Sequence, residues 1–347
     1  MLFRTITKEH FRKLVNGIIN ENQTIGPKAV DMDAKGNPVY QFVEVSDFDE
    51  MNLEYPTTYS SAKHYFLPFK ENLSTFEFEK KGWKQKITYN AEPRVIVGLR
   101  AFDINGLLKL DNVLMKEKFP NPYYITKRKN TFIIGIDHEA PDDCFARSLN
   151  ADVVLHGFDM FMTDIGDKYF LLINSSNAFN VLKNVTTEEI TRKDEERYIA
   201  KKKKIENSYK TVVDVTGLPS LLDIEFESDV WKKWGDKCLS CGSCAMVCPT
   251  CYCYTVNESI DPSLKFGVKE RMLYSCNIVD FAEVAGGHNF RPKASTRLKY
   301  RYYHQHRGFV ESYDEPKCVG CNRCGRACPA GINPVDVIHD LRMEGGR

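Results

Sequence analysis

The chain has 347 residues and a formal net charge of +1, so it is long enough for about two domains with sizeable cores. That balance of charge gives no electrostatic reason to expect nucleic acid as a main partner. Twelve cysteines are unusual, and eleven of them follow residue 237, which leaves only Cys144 in the first two thirds. Such a density indicates a metal or disulfide framework confined to the C-terminal part.

The N-terminal segment predicts that the protein stays in a compartment where thiols are reduced. A secretory signal needs an uninterrupted apolar stretch, and charged residues such as Arg4, Lys8 and Glu9 interrupt this one. Apolar runs elsewhere are far shorter than the roughly 18 residues that span a bilayer. We therefore expect a cytoplasmic protein without a membrane contact, in which clustered cysteines bind metal more often than they pair.

Residues 1–185 predict a mixed α/β domain. An apolar stripe over 11–19 predicts an amphipathic helix with Thr7 as its cap. Gly166 and Asp167 separate two apolar runs and predict a hairpin. Runs rich in β-branched and apolar residues predict strands at 94–99, 131–136 and 169–173. A helix is predicted at 102–115.

The charged segment 186–210 predicts an exposed helix that joins the two parts of the chain. Its lysine run, 201–204, stands among acidic residues that cancel most of its field, so a solvated face explains it better than a nucleic-acid site. The fold class expected is α+β in three parts: a mixed α/β domain at 1–185, a charged helical connector at 186–230, and a mostly α-helical, cysteine-rich domain at 231–347.

Two cysteine runs share the spacing C-x2-C-x2-C-x3-C-P. They consist of Cys238, Cys241, Cys244 and Cys248, and of Cys318, Cys321, Cys324 and Cys328. In such runs three thiolates two residues apart hold one [4Fe-4S] cluster, and the fourth, before proline, reaches a second cluster. The spacing predicts two interlocked clusters, one on Cys238, Cys241, Cys244 and Cys328 and the other on Cys318, Cys321, Cys324 and Cys248.

Structural zinc, in an interaction or nucleic-acid-binding module, is the alternative from another class. Structural zinc normally uses two C-x2-C pairs, separated by a dozen or more residues, around one ion, so the third and fourth cysteines of each run would be left without a use. The basic and aromatic segment 291–307 could bind single-stranded nucleic acid. Its position between the two runs favours compensation of cluster charge and docking of an acidic partner instead. The long, partly helical gap between the runs resembles the helical two-cluster ferredoxin domains of multisubunit redox complexes.

Four cysteines remain outside the two runs: Cys144, Cys251, Cys253 and Cys276. Their number fits a third [4Fe-4S] cluster, and Cys251 and Cys253 adjoin the first run. Buried free thiols are the alternative, because free cysteine commonly serves as a small hydrophobic residue. The sequence contains neither a dinucleotide-binding nor an ATP-binding glycine motif. We therefore expect electron transfer, with no catalytic residue and no substrate chemistry on this chain alone.

A recognisable pattern runs through the segments 248–254, 275–276, 281–291, 297–301, 100–105, 144–145 and 157–159. It resembles the electron-transferring iron-sulfur subunit of anaerobic sulfite reductases and, sharing much of the pattern, the related β subunits of cytoplasmic sulfhydrogenases. The resemblance implies a subunit that passes electrons from a flavin and [2Fe-2S] subunit, which oxidises NAD(P)H, to a sirohaem subunit that reduces sulfite to sulfide. A nickel-iron hydrogenase partner is the alternative within the same class.

The chain departs from that family at several positions. Phe102 and Ala146 stand where cysteines are common, and another cysteine usually occurs near Asp137 and His138. Cys144 is therefore the only N-terminal thiol available to a third cluster. If Cys144 is not a ligand, His138 or Asp137 is the next choice, and absence of the cluster is the remaining alternative.

Overall fold

The structure is a computed structural model that describes residues 2–183 and 185–345. The first half contains β1 (Leu2–Thr7), α1 (Lys8–Glu21), β2 (Gln23–Met32), β3 (Pro38–Glu44), β4 (Lys70–Glu79), β5 (Gly82–Ile87), β6 (Arg94–Leu99), α2 (Ala101–Met115), α3 (Pro122–Lys129), β7 (Thr131–Ile136), β8 (Met160–Asp164) and β9 (Lys168–Ile173). The second half contains α4 (Ser176–Leu182), α5 (Arg192–Ser208), α6 (Leu218–Ile224), α7 (Val230–Gly235), α8 (Ser243–Met246), β10 (Tyr254–Ile260), β11 (Phe266–Leu273), α9 (Ala294–His306), α10 (Gly308–Tyr313), α11 (Arg323–Arg326) and α12 (Pro334–Gly345). Within these ranges, none of the helices has the length and apolarity needed to cross a bilayer.

A seven-stranded mixed sheet organises the N-terminal part, in the order β1-β9-β8-β7-β6-β2-β3. The central strands β2, β6, β7 and β8 run parallel, and antiparallel pairs close both ends. Side chains alternate between two cores: Ile96 faces the core formed with α2 and α3, whereas Val95 and Val97 face the core formed with α1 and α4. Apolar residues on both faces explain why β6 reads as a continuous apolar run.

Several expectations from the sequence are confirmed at this level. The strands at 94–99 and 131–136 have the predicted bounds, and the helix predicted at 102–115 begins one residue earlier. The Thr7 hydroxyl oxygen accepts a hydrogen bond from the His10 backbone N–H and caps α1. β8 and β9 form the predicted hairpin. The mixed α+β class is confirmed, with sheets dominating the N-terminal region and helices the C-terminal region.

A second sheet joins the two parts of the chain. Its order is β10-β11-β4-β5, so two strands come from each part. The hairpin of β10 and β11 lies inside the gap between the cysteine runs and was not predicted. Its root is stabilised by a buried ion triad, in which Glu71 accepts hydrogen bonds from Lys127 of α3 and Arg271 of β11.

The helices of the C-terminal part pack around one apolar cluster. Trp231 and Trp234 of α7, Leu298 and Tyr302 of α9, and Leu341 of α12 contribute to it. Residues of the connecting segment also join this cluster, because α6 packs against both α9 and α12. The exposed connector helix α5 begins with a capping box formed by Thr191 and Asp194.

The buried triad generates a stability prediction. Glu71→Gln should destabilise the protein by about 3–5 kcal/mol, because it leaves two buried cations without their carboxylate. Glu79→Gln is the matched control, since Glu79 pairs with Lys84 on an exposed part of the same sheet and should cost less than about 1 kcal/mol. Anaerobic urea unfolding followed by tryptophan fluorescence measures both, and equal stability of the two variants would contradict the prediction.

Candidate iron-sulfur centre

All eight cysteines of the two runs line one cavity in the C-terminal part. Within residues 2–183 and 185–345, no three His, Cys, Asp or Glu side chains gather as they would around a single metal ion. The thiols instead surround a shared interior space. Thiolate sulfur is the ligand that iron-sulfur clusters require, so the donor set and its arrangement fit clusters.

The two runs adopt the same local backbone shape. Ser240 and Gly242 in the first run, and Gly320 and Asn322 in the second, have positive φ angles of 54°, 79°, 66° and 53°. These left-handed residues stand two and four places after the first cysteine of each run, and they turn the chain so that successive thiols can face inward. A single helical turn follows in each case, α8 or α11, and these two turns pack against each other.

That packing brings the last cysteine of each run within electrostatic reach of a thiol of the other run. Burial raises the pKa of Cys244, and the nearby thiolates of Cys238, Cys248 and Cys328 raise it further, against the effect of Arg301. The Cys328 sulfur is thus close enough to the first run to act on the pKa of Cys244.

The second run has a thiol of the first run nearby in the same way. Burial raises the pKa of Cys318, and the thiolates of Cys324, Cys248 and Cys321 act in the same direction. Cys248 is thus close enough to the second run to act on the pKa of Cys318, and it also acts on Cys244 of its own run. Two of the sulfurs also accept hydrogen bonds from backbone N–H groups. The Gly320 N–H donates to the Cys318 sulfur at 3.4 Å. Ile332 donates to the Cys328 sulfur at 3.3 Å. Such donors stabilise sulfur that carries negative charge.

Arg301 of α9 lies at the centre of the thiols. Its guanidinium donates to the Cys251 sulfur at 3.3 Å and to the Cys244 carbonyl at 3.2 Å. Burial opposes its charge, but the thiolates of Cys244, Cys251 and Cys324 outweigh burial and hold the Arg301 pKa well above its usual value. Arg301 is a buried residue of the basic segment, and it lies where compensation of cluster charge is expected.

Two buried lysines accompany Arg301. Lys63, from the N-terminal part, donates to the carbonyls of Ala245 and Cys251 at 3.2 and 3.0 Å. Lys317 lies 4.0 Å from the centre of the Tyr252 ring. Burial lowers the pKa of both lysines, and the Cys251 thiolate acts in the opposite direction on each. In the described part of the chain, none of these three cations forms an ion pair with a carboxylate.

No sequence signal singles out Lys63 or Lys317. Each is an isolated lysine outside any motif, and lysine is almost never fully buried unless it is paired. Their burial is visible only in the folded chain. Arg301 had a weak signal, since it belongs to the basic segment between the runs.

Of the four remaining cysteines, Cys253 and Cys276 lie together, whereas Cys251 lies against Cys248. Cys251, Cys253 and Cys276 all lie within the influence of Arg301. A hydrogen bond from Cys276, together with Lys317 and Arg301, lowers the pKa of Cys253 to about 6 against the effect of burial. The Tyr274 backbone N–H donates to the Cys253 carbonyl at 2.9 Å, which fixes the two segments side by side.

Cys144 lies elsewhere. It belongs to a buried apolar cluster with Phe102, Ala146 and Cys321, and burial raises its pKa to about 12. The His138 ring packs against Phe102 with ring centroids 5.3 Å apart. The positions at which this chain departs from the resembling family therefore lie around Cys144, beside the second run.

The two other residues considered as ligands are also placed. The Asp137 carboxylate accepts hydrogen bonds from the Thr163 hydroxyl at 2.6 Å and from Lys202 at 2.9 Å. Burial, with Arg100 and Arg323 nearby, lowers the pKa of His138 well below its usual value.

Arg323 joins the second run to the N-terminal part and was missed by the sequence analysis. It is fully buried and donates two hydrogen bonds to the Asp103 carboxylate, at 2.6 and 2.9 Å. It also donates to the carbonyl and the hydroxyl of Thr58, both at 2.9 Å. The Phe145 backbone N–H donates to the Gly320 carbonyl at 2.9 Å in the same interface.

Comparison with known proteins agrees with this centre. Residues 237–332 match the family model described as 4Fe-4S dicluster domain. The whole chain is similar to the sulfhydrogenase 2 subunit beta of Pyrococcus furiosus, with 32% identity over 350 residues and 99% of each chain covered. The chain therefore belongs to the family of this sulfhydrogenase β subunit, and it is an iron-sulfur electron-transfer protein.

Proposed function

We propose that this chain relays electrons inside a cytoplasmic sulfite-reducing complex. A flavin and [2Fe-2S] subunit would oxidise NAD(P)H, and a sirohaem subunit would reduce sulfite to sulfide. The observation that carries the relay function is the single cavity lined by eight thiols from two complete cluster-binding runs. The clusters supply one-electron steps when bound, and the chain's own residues hold them, exclude water and compensate their charge.

The proposed ligand sets are crossed between the two runs. Cys238, Cys241, Cys244 and Cys328 would hold one cluster, and Cys318, Cys321, Cys324 and Cys248 would hold the other. The proximity of Cys328 to Cys244 and of Cys248 to Cys318 supports this assignment. Each run then completes the site of the other, so neither cluster can form without both runs folded together.

Crossed ligands give a spectroscopic prediction. Cys328→Ser should perturb the same cluster signal as Cys238→Ser, whereas Cys248→Ser should perturb the signal that Cys318→Ser changes. Electron paramagnetic resonance of the dithionite-reduced protein measures this. Pairing of Cys328 with Cys318 and of Cys248 with Cys238 would contradict the proposal.

We also propose a third [4Fe-4S] cluster beside the first two, with Cys251, Cys253 and Cys276 among its ligands. The support is electrostatic: Lys63, Arg301 and Lys317 place three cations in the interior next to these thiols. Buried cations are costly unless negative charge accompanies them. An anionic thiolate cluster would supply that charge.

Iron content tests the third cluster. Cys251→Ala and Cys276→Ala should each remove about four irons and four acid-labile sulfides per chain. Cys144→Ala should keep the wild-type content, because its thiol packs in an apolar cluster that contains none of Cys251, Cys253 and Cys276. Anaerobic iron and sulfide analysis measures all three variants. Full iron content in the first two variants would show that these cysteines are free thiols.

The nature of the catalytic partner separates two candidates. The sequence segments shared with the iron-sulfur subunit of anaerobic sulfite reductases support a sirohaem partner. The 32% identity with a sulfhydrogenase β subunit over nearly the whole chain supports a hydrogenase partner at least as well. The relay chemistry of this chain is the same in both complexes, so only the identity of the catalytic partner distinguishes sulfite reduction from hydrogen metabolism.

The relay proposal predicts activity only within a complex. The isolated chain should lose its brown colour with dithionite but should turn over neither sulfite nor hydrogen. The complex purified with the products of the neighbouring genes should oxidise NAD(P)H with sulfite if the partner carries sirohaem, or exchange electrons with hydrogen if it is a hydrogenase. Turnover by the isolated chain would refute the relay, and hydrogen activity of the complex would refute sulfite reduction.

A further inference from the structure

The second sheet has one apolar face at its free end. Residues of β4 alternate, so Phe76 and Phe78 point to one side and Thr75 and Glu77 to the other. The strand register places Trp83 opposite Phe78, and Ile260 in the same row as Phe76. We call this side the aromatic face: Phe76, Phe78, Trp83, Ile87 and Ile260.

The aromatic face is packed within itself but exposed to solvent. The rings of Phe76 and Trp83 lie 5.7 Å apart. The Phe78 ring lies over Gly267, where a Cβ atom would meet it at 3.2 Å. Nevertheless Trp83 is 60% exposed, Ile260 59% and Ile87 49%. Contiguous exposed apolar surface of this kind marks interaction sites, and tryptophan and tyrosine are the residues that most often dominate binding energy there.

Three lysines lie in the two turns at one end of the aromatic face, with Asp261 in the second of these turns. Lys80 and Lys81 form the turn between β4 and β5, and Lys265 lies in the turn between β10 and β11. The neighbouring Lys84 and Lys269 have carboxylate partners, Glu79 and Glu258. Within the described residues, no such ion pair includes the three turn lysines. A partner surface that complements this face is therefore apolar at its centre and acidic where it meets the turn lysines.

A second copy of this chain does not provide that complement. In a twofold dimer the same patch meets itself, so the interface would bring together two surfaces that carry the same lysines and no acidic complement to them. The edge strand β5 also carries Lys84 and Lys86, and lysines on an edge oppose strand-to-strand pairing between copies. A different protein with an acidic rim fits the charges better.

The position of the sheet connects this face to the cysteines. β10 begins directly after Cys253, and β11 ends three residues before Cys276. The hairpin that carries part of the aromatic face therefore begins and ends next to Cys253 and Cys276. A protein bound to the face would be held by the same segment that positions those thiols.

We propose that the aromatic face is the docking site for another subunit of the oxidoreductase complex, through an apolar surface with an acidic rim. This inference rests on the proposed membership of a complex. It assigns a function to the β10–β11 hairpin that the cluster-binding role leaves unexplained.

The test uses the tagged chain and the subunits encoded beside it, purified anaerobically as a complex and as separate components. The double variant Phe78→Ser with Trp83→Ser should weaken binding to the remaining subunits by at least about tenfold. Lys80→Glu with Lys81→Glu should weaken binding in low salt and lose most of its effect in high salt. Phe266→Ser is the matched control, because Phe266 is 55% exposed on the opposite face of the same sheet, and it should stay within about twofold of wild type.

Cluster absorbance and thermal stability of each variant show whether the chain itself is intact. Wild-type affinity in an intact double variant would overturn the inference while leaving the complex in place. A wild-type homodimer that the double variant converts to monomer would overturn it in favour of a second copy. If the wild-type chain binds none of the co-encoded subunits, the proposed function fails and this inference fails with it.

Discussion

Negative charge on buried sulfur is the constraint that the rest of the structure serves. Thiolates removed from water need positive charge and hydrogen-bond donors at close range, because the desolvation cost is otherwise several kcal/mol for each ion. Arg301 meets this need from the centre of the thiols, and Lys63 and Lys317 meet it from two sides. Lys63 comes from the N-terminal part, so the electrostatics of the centre already require the two parts to fold as one unit.

The α/β part contributes more to the centre than the Lys63 cation. In open α/β sheets, ligands usually bind beyond the carboxyl ends of the parallel strands. Here that edge, where β6 leads into α2, presents Asp103 to Arg323 of the second cysteine run. Protein thus occupies a position in which other open α/β sheets hold a small molecule. The architecture makes the α/β part a platform for the cysteine-rich part.

The second sheet fastens the same two parts at another point. Its buried triad on Glu71 draws a cation from each part, and its free end carries an apolar face that remains exposed. Buried charges and an exposed aromatic surface in one small sheet are hard to explain by stability alone. They are consistent with an element kept for assembly, in which the rigid root holds the hairpin and the free end contacts a partner.

The sequence by itself determined the elements whose signals are local. Periodicity predicted α1 with its Thr7 cap, the strands at 94–99 and 131–136, and the hairpin at Gly166. Cysteine spacing, which follows from the chemistry of cluster binding, identified the iron-sulfur domain. Only the tertiary structure decided that Cys144 packs apart from Cys251, Cys253 and Cys276, that isolated lysines reach the thiols, and that β10 and β11 join a sheet with strands almost 200 residues earlier in the chain. These outcomes depend on contacts between distant segments, and neither spacing nor periodicity records which distant segments will meet.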